Sequence, residues 1–330
     1  METMISREVM EIAQEIKEMK IRGAGRIARA AAKALKIAAE NYRGKTIEDY
    51  LKYINAVASL LISTRPTAVS LPNAVTYILS RTERVKSTNL AEYIHATVTA
   101  AEEFIEYSKN AVNNIALIGS GRISDGDSIL THCNSSAAIS VIIESWRSGK
   151  KIQVYATETR PKYQGHITVR QLAEAGVKVT LIPDSAVRLL MKKLDKVVVG
   201  ADTVTANGAV VNKIGTSQLA LAAKEANVDF FVAAETYKFS PATVLGELVE
   251  IEERPATEVI DLEFLRAHPN IKVRNPAFDV TPPEYIDAII TERGLIPPQA
   301  AYLVLVKEYG WAIADHHLKA TSEISDEILP

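Results

Sequence analysis

Cys133 is the single cysteine in a chain of 330 residues. The residues around it, SILTHCNSSAA at 128–138, read as a strand running out into a helix. Residues 128–132 are apolar at Ile129 and Leu130, while Asn134, Ser135 and Ser136 are N-cap types ahead of an amphipathic run. A thiol at a helix N-terminus feels the positive end of the helix dipole and is expected to favour the thiolate. Such a thiolate can act as a general base, a nucleophile or a metal ligand. The alternative is a buried structural cysteine, since free cysteine is among the most buried residue types.

A second chemical group falls on the same rim. Asp202 follows the strand in KVVVGADTVTANG, residues 196–208. Desolvation beyond a run of valines would raise its pKa and keep a transferable proton on it. An aspartate shortly before an Asn207-Gly208 turn also suits a purely local Asx-type role. Asn212 and Lys213 lie in NKIGT, just ahead of a helix expected from Ser217, where a cation beside a helix start makes an anion site. Arg160 follows the strand IQVYA, and Lys238 follows DFFVAA. Each of these is weak alone, because lysines near turns are common. The signal is that five strand exits supply Cys133, Arg160, Asp184, Asp202 and Lys238 together.

Earlier in the chain, RGAGR places Arg22, Gly23, Ala24 and Gly25 at a helix start, where backbone amides could approach a phosphate. Glycines there also serve packing and caps. Arg65, before Pro66, sits at a helix end, a position where a cation also caps carbonyls. His132 and Cys133 are adjacent, so on a strand they point to opposite faces and make poor co-ligands. No Cys/His/Asp set has metal spacing, and neither metal nor cofactor is expected. A Cys–His dyad with His166 has no spacing rule behind it.

The elements that must position these residues come in two kinds. Ile5, Val9, Ile12, Ile16 and Met19 are spaced by fours and threes on one helical face. Residues 25–41, 47–62, 74–85 and 90–118 read as further helices. After the glycine-rich 119–127, short β-branched strands at 128–132, 152–156, 178–182, 196–199 and 229–233 alternate with helices at 136–147, 167–175, 185–193 and 217–226. That alternation implies an α/β, doubly wound, Rossmann-like parallel sheet with its ligand beyond the carboxyl ends of the strands. The expected organisation is an N-terminal helical domain with a long connector helix over 1–118 and a Rossmann-like catalytic domain over 119–330. Residues 275–284 read as a proline-rich turn leading into a helix at 284–293. The tail after Trp311, with His316 and His317, reads as a polar segment without chemistry.

Composition sets the class. Apolar residues make up 47% of the chain, enough for a sizeable core, and the net charge of −2 leaves no electrostatic footprint for nucleic acid or membrane. One cysteine cannot close an intrachain disulfide, which points to a reducing compartment. With no apolar signal-peptide core and no membrane-length apolar run, a cytoplasmic protein is expected.

RGAG (22–25), TRPTAV (64–69), THCNSS (131–136), ETRPKYQG (158–165), VGAD (199–202), NGAVVNKIGTSQLALAAK (207–224), ETYKF (235–239) and NPAFDVTP (275–282) occur in one order across nearly the whole chain. In this it resembles the family of methylthioribose-1-phosphate isomerases, archaeal ribose-1,5-bisphosphate isomerases and the alpha, beta and delta subunits of translation initiation factor 2B. The factor subunits generally lack the cysteine and the aspartate. The methylthioribose enzymes usually read RGAP where this chain has Gly25, and lack a lysine matching Lys238. The pattern is most similar to the archaeal sugar-bisphosphate branch. The resemblance implies isomerisation of α-D-ribose 1,5-bisphosphate to D-ribulose 1,5-bisphosphate in nucleoside monophosphate (AMP) salvage. Cys133 and Asp202 would be the acid/base pair. Arg22, Gly23, Ala24, Gly25, Arg65, Asn212 and Lys213 would hold one phosphate, and Ser135 with Lys238 the other. Gln164 and Arg160 match pocket positions. Closure of the helical domain over the sheet and a homo-oligomer, dimer-based up to a hexamer, are also implied. The alternatives are a methylthioribose-1-phosphate isomerase and a non-catalytic regulatory protein.

Overall fold

Apolar spacing by threes and fours winds the first part of the chain into α1 (Arg7–Lys17), α2 (Ala24–Glu40), α3 (Ile47–Thr64), α4 (Ser70–Glu83) and α5 (Leu90–Ser120). The computed structural model describes residues 5–65 and 67–310; the expected tail after Trp311 lies outside the described residues. The chain divides into two units, Met1–Asn113 and Asn114–Pro330, and the division falls inside α5. In the helical unit the Ser6 side chain caps α1 and the Thr46 hydroxyl caps α3 at the Asp49 amide, 3.1 Å. Met19 does not extend the α1 stripe: the helix ends at Lys17, and Met19 turns the chain with φ 61°. In α2, Ala28, Ala31, Ala32, Ala34, Ala38 and Ala39 are all buried, and such small side chains let α1 and α4 pack closely on it. Tyr50, Thr82 and Thr97 share buried hydroxyl contacts that tie α3, α4 and α5.

The second unit continues with β1 (Ser128–Thr131), α6 (Ser136–Arg147), β2 (Gln153–Thr157), α7 (Gln164–Glu174), β3 (Lys178–Ile182), α8 (Val187–Met191), β4 (Lys196–Gly200), β5 (Thr203–Val204), β6 (Val210–Lys213) and α9 (Thr216–Ala226). It ends with β7 (Asp229–Ala233), α10 (Leu262–Ala267), β8 (Phe278–Thr281), β9 (Ala288–Thr291) and β10 (Gly294–Ile296). A seven-stranded sheet runs β10-β9-β7-β4-β1-β2-β3, parallel throughout except at β10. Both faces are covered. Val197 and Val199 pack with α8 and α9 on one face, and Val198 with α6 and α7 on the other. All three are fully buried, and each such valine contributes on the order of 1.5–3 kcal/mol. This is the expected α/β doubly wound sheet.

The expected helix at 284–293 is replaced by a short turn at Pro283–Tyr285 and strand β9. Ala288-Ile289-Ile290-Thr291 is rich in β-branched side chains. Parallel pairing with β7 sends Ile289 into one core and Ile290 into the other, which a surface helix cannot do. A second sheet, β5-β6-β8, is antiparallel and built from strands too short to show a period. In denaturant unfolding, Ile289→Ala and Ile290→Ala should each cost about 2–5 kcal/mol. A surface helix here would leave one of the two within about 0.5 kcal/mol of the parent.

Candidate active site

Strand order reverses between β1 and β4. Successive strands run outward from β1 through β2 to β3, and then outward from β4 through β7 to β9. A crevice opens at such a reversal, beyond the carboxyl ends of the strands. Cys133 follows β1 and Asp202 follows β4, so the two flank it. The exit of β4 comes close to the start of α6: a Cβ on Gly200 would lie 2.2 Å from Ser135 Oγ. Glycine is required there by proximity. Ser135 is the N-cap of α6 and accepts a hydrogen bond from the Ala138 amide at 3.3 Å.

Cys133 has φ 65°. A non-glycine residue in the left-handed region costs about 1–3 kcal/mol and persists only where its surroundings hold it. Here the Cys133 amide donates to Thr159 Oγ1 at 2.9 Å, and its carbonyl accepts from Thr168 Oγ1 at 2.6 Å. His132, next to it in the chain, is buried. A carbonyl only accepts, so Nε2 carries the proton it gives to the Ile214 oxygen at 2.8 Å. Nδ1 of the neutral ring then accepts from Thr157 Oγ1 at 2.5 Å. Burial lowers the His132 pKa, consistent with that neutral form. The ring thus clamps the 213–215 turn to β1 and β2.

The small sheet brings the remaining groups to this corner. The Asp202 amide bonds the Val211 carbonyl at 2.9 Å. β6 carries Asn212, whose Nδ2 donates to Thr216 Oγ1 at 2.9 Å, and Lys213, whose Nζ donates to the Ala277 carbonyl at 2.9 Å. Lys213 Nζ also lies 4.4 Å from the Phe278 ring centre. Asp279 on β8 accepts from the Gly215 amide at 2.8 Å and the Ser217 amide at 3.2 Å, capping α9. Burial pushes the Asp279 carboxyl up to about 6 against those amides and Lys213.

In the helical unit, Arg22, Gly23, Ala24, Gly25 and Arg65 come together around the start of α2. Gly23 is the N-cap, with φ 88° and no side-chain cap. Arg22 Nε donates to the Met19 carbonyl at 2.6 Å, the Arg65 guanidinium meets Met19 Sδ, and Ser70 Oγ bonds the Ala24 carbonyl at 2.9 Å.

Lys238, expected to meet a phosphate, follows β7. It is buried and ion-paired with Glu235 at 2.7 Å. Burial opposes the Glu235 charge, but Lys238, a backbone amide and the Tyr237 hydroxyl together outweigh it and the net direction is downward. The Arg160 guanidinium lies over the Tyr163 ring, 5.1 Å from its centre, and donates to that hydroxyl. Gln164 Oε1 is a buried acceptor with no donor. Thr159, Thr168 and Asp279 were not singled out from the sequence. Thr159 and Asp279 lay inside the ETRPKYQG and NPAFDVTP strings, but nothing in their spacing gave them a task. Among the described residues no helix is long and apolar enough to cross a membrane, and no group of three His, Cys, Asp or Glu could hold a metal ion.

The Initiation factor 2 subunit family profile matches residues 20–298. The chain belongs to that family. It is 53% identical over 312 residues to the ribose 1,5-bisphosphate isomerase of Thermococcus kodakarensis, covering 94% of this chain and 97% of the relative. To the enzyme of that name from Pyrococcus furiosus it is 55% identical over 315 residues, with coverage again 94% and 97%. Among solved structures, the translation initiation factor eIF-2B of Pyrococcus horikoshii OT3 superposes with a TM-score of 0.76 at 33% identity. That match covers 89% of this chain and 98% of the other.

Within this family fold the electrostatics of the thiol depart from expectation. Cys133 precedes the N-cap of α6 and lies outside the helix. Burial pushes its thiol up to about 11. Lys213 pulls it down and the Asp202 and Asp184 charges push it up, so their charges act at the sulfur. The resting group at neutral pH is therefore a thiol, because desolvation outweighs the Lys213 charge and the Asn134 amide. An unfolded thiol ionises near 9.0, so between pH 9 and about 11 the native state holds a proton that the unfolded state has lost. This group's contribution to stability falls as pH rises through that window. Iodoacetamide alkylation of the single cysteine should keep accelerating with pH up to about 11, and Lys213→Met should move the rise higher still. A plateau reached near neutral pH would contradict this.

Proposed function

We propose that the chain is an aldose–ketose isomerase converting α-D-ribose 1,5-bisphosphate to D-ribulose 1,5-bisphosphate. The observation that carries the reading is the placement of Cys133 and Asp202 on the two strand exits flanking the reversal of strand order, where the charge of one acts on the other. The Thermococcus and Pyrococcus furiosus relatives bear the name of this activity and match over nearly their whole length, which supports the substrate.

The chemistry needs a protonated acid and a deprotonated base at once. An ionised Asp202 disfavours the thiolate. Moving one proton from Sγ to the Asp202 carboxylate would remove that opposition and leave the thiolate under the field of Lys213. Asp202 then gives its proton to the ring oxygen as the bond from that oxygen to C1 breaks. Cys133 takes the proton from C2, and an enol forms between C1 and C2. The thiol returns that proton to C1 while the C2 hydroxyl proton goes back to Asp202, giving the ketone and restoring both groups. Each acid/base step is worth about 10²–10⁴ in rate.

Within the helical unit, the uncapped start of α2 with Arg22 and Arg65 is suited to an anion. In the second unit, Asn212, Lys213 and the start of α6 at Ser135 would hold a phosphate. Lys238 would join by exchanging Glu235 for a phosphate. Gln164, whose acceptor lacks a donor, would take a sugar hydroxyl. The protein would work as a homo-oligomer. Purified protein, assayed anaerobically with α-ribose 1,5-bisphosphate, should form ribulose 1,5-bisphosphate. Cys133→Ser and Asp202→Asn should each lower turnover by about 10²–10⁴ with unchanged melting temperature. Folded wild-type protein that leaves this substrate untouched would sink the reading and turn attention to methylthioribose 1-phosphate.

A further inference from the structure

The exits of β3, β2 and β1 are neighbours in the sheet, and they are hydrogen-bonded in series. At the β3 exit, Asp184 accepts the Thr159 amide through Oδ1 at 2.8 Å and the Arg160 amide through Oδ2 at 2.7 Å. At the β2 exit, Thr159 has φ 59°, a region that β-branched residues enter only as outliers. In that conformation Thr159 Oγ1 accepts the amide of Cys133, itself left-handed. The same hydroxyl lies 3.3 Å from Thr157 Oγ1, the partner of His132. Thr159 is fully buried, so its hydroxyl serves these groups and not solvent. Two strained residues on adjacent strand exits are thus held by one carboxylate and one hydroxyl.

We propose that Thr159, held by Asp184, is a positioning residue whose hydroxyl keeps Cys133 in its left-handed backbone and thereby aims Sγ at the reacting carbon. This rests on the reading of Cys133 as the base of the isomerase. It gives Asp184 a task that does not involve touching substrate. It also explains why a strand exit carries Thr-Glu-Thr: Thr157 completes the link to His132, and Thr159 the link to Cys133.

Thr159→Val removes the acceptor and keeps the shape, while Thr159→Ser keeps the oxygen. The chain has one cysteine, so iodoacetamide reports on Cys133 alone and needs no substrate. Thr159→Val should alkylate about tenfold faster than wild type at fixed pH, the scale of one lost hydrogen bond. Its kcat on ribose 1,5-bisphosphate should fall by about 10²-fold with KM nearly unchanged, as for a misplaced reacting group. Thr159→Ser should restore most of both. Thr159→Ala, which also removes the hydroxyl but leaves every charge near the sulfur in place, should shift alkylation in the same direction and serves if the valine variant does not fold. Alkylation and kcat unchanged in Thr159→Val, equal impairment in Thr159→Ser, or a loss carried by KM would each overturn the inference. If wild-type protein does not turn the sugar over, the isomerase reading fails, and the alkylation rates alone decide whether Thr159 positions the thiol.

Discussion

The chain passes from β1 through β2 and β3 with α6 and α7 on one face of the sheet, then crosses over through α8 to lay β4 beside β1 from the other side. The connections leaving β1 and β4 therefore part to opposite faces, and no helix can cover the gap between the strand ends. Everything chemical in the second unit depends on that gap. The β4 exit must lie almost against the α6 start, which Gly200 permits by having no side chain to meet Ser135. Any side chain at this position would move Asp202 away from Cys133 or break the Ser135 cap.

Electrostatics turn this proximity into function. Cys133 is flanked by two carboxylates, Asp202 and Asp184, and one ammonium, Lys213, in a setting that disfavours its ionisation. A thiol in this state reacts slowly with passing electrophiles, yet one proton shift to Asp202 produces acid and base together. The small antiparallel sheet acts as a bracket for this balance. It ties Asp202 to β6 through Val211, carries Lys213, and uses Asp279 to fasten the start of α9. His132 fastens the same turn from the large sheet. The field at the sulfur is therefore set by several elements that lie far apart in the sequence.

Much of the fold was legible because strong periods leave strong signals. β3 and β7 run over the expected residues, β1 and β4 differ by a residue at one end, and β2 is shifted by one residue. The valines of β4 and the N-cap serine of α6 each favour one conformation locally. What could not be read depends on long-range pairing. In β9, Ala288 to Thr291 is too short to show alternation, and only β7 makes it a strand. β5 and β8 exist as strands through β6. In the site, residue types pointed to Cys133, Asp202 and Lys213. The ionisation of Cys133 departs from expectation because a helix start shows in the sequence while desolvation of the sulfur does not. The pairing of Lys238 with Glu235 was close in sequence, three residues apart, but invisible without knowing that both are buried. Thr159 and Asp184 gain meaning only once three strand exits stand side by side.

The account stands or falls on where the sugar sits. The most direct measurement is a crystal structure of the Cys133→Ser protein with α-ribose 1,5-bisphosphate bound. The account predicts a sugar ring beyond the ends of β1 and β4, its C2 within about 3–3.5 Å of Ser Oγ and its ring oxygen at a similar distance from the Asp202 carboxylate. A sugar bound elsewhere, or one whose C2 and ring oxygen face neither group, would contradict the assignment of Cys133 and Asp202 as the reacting pair.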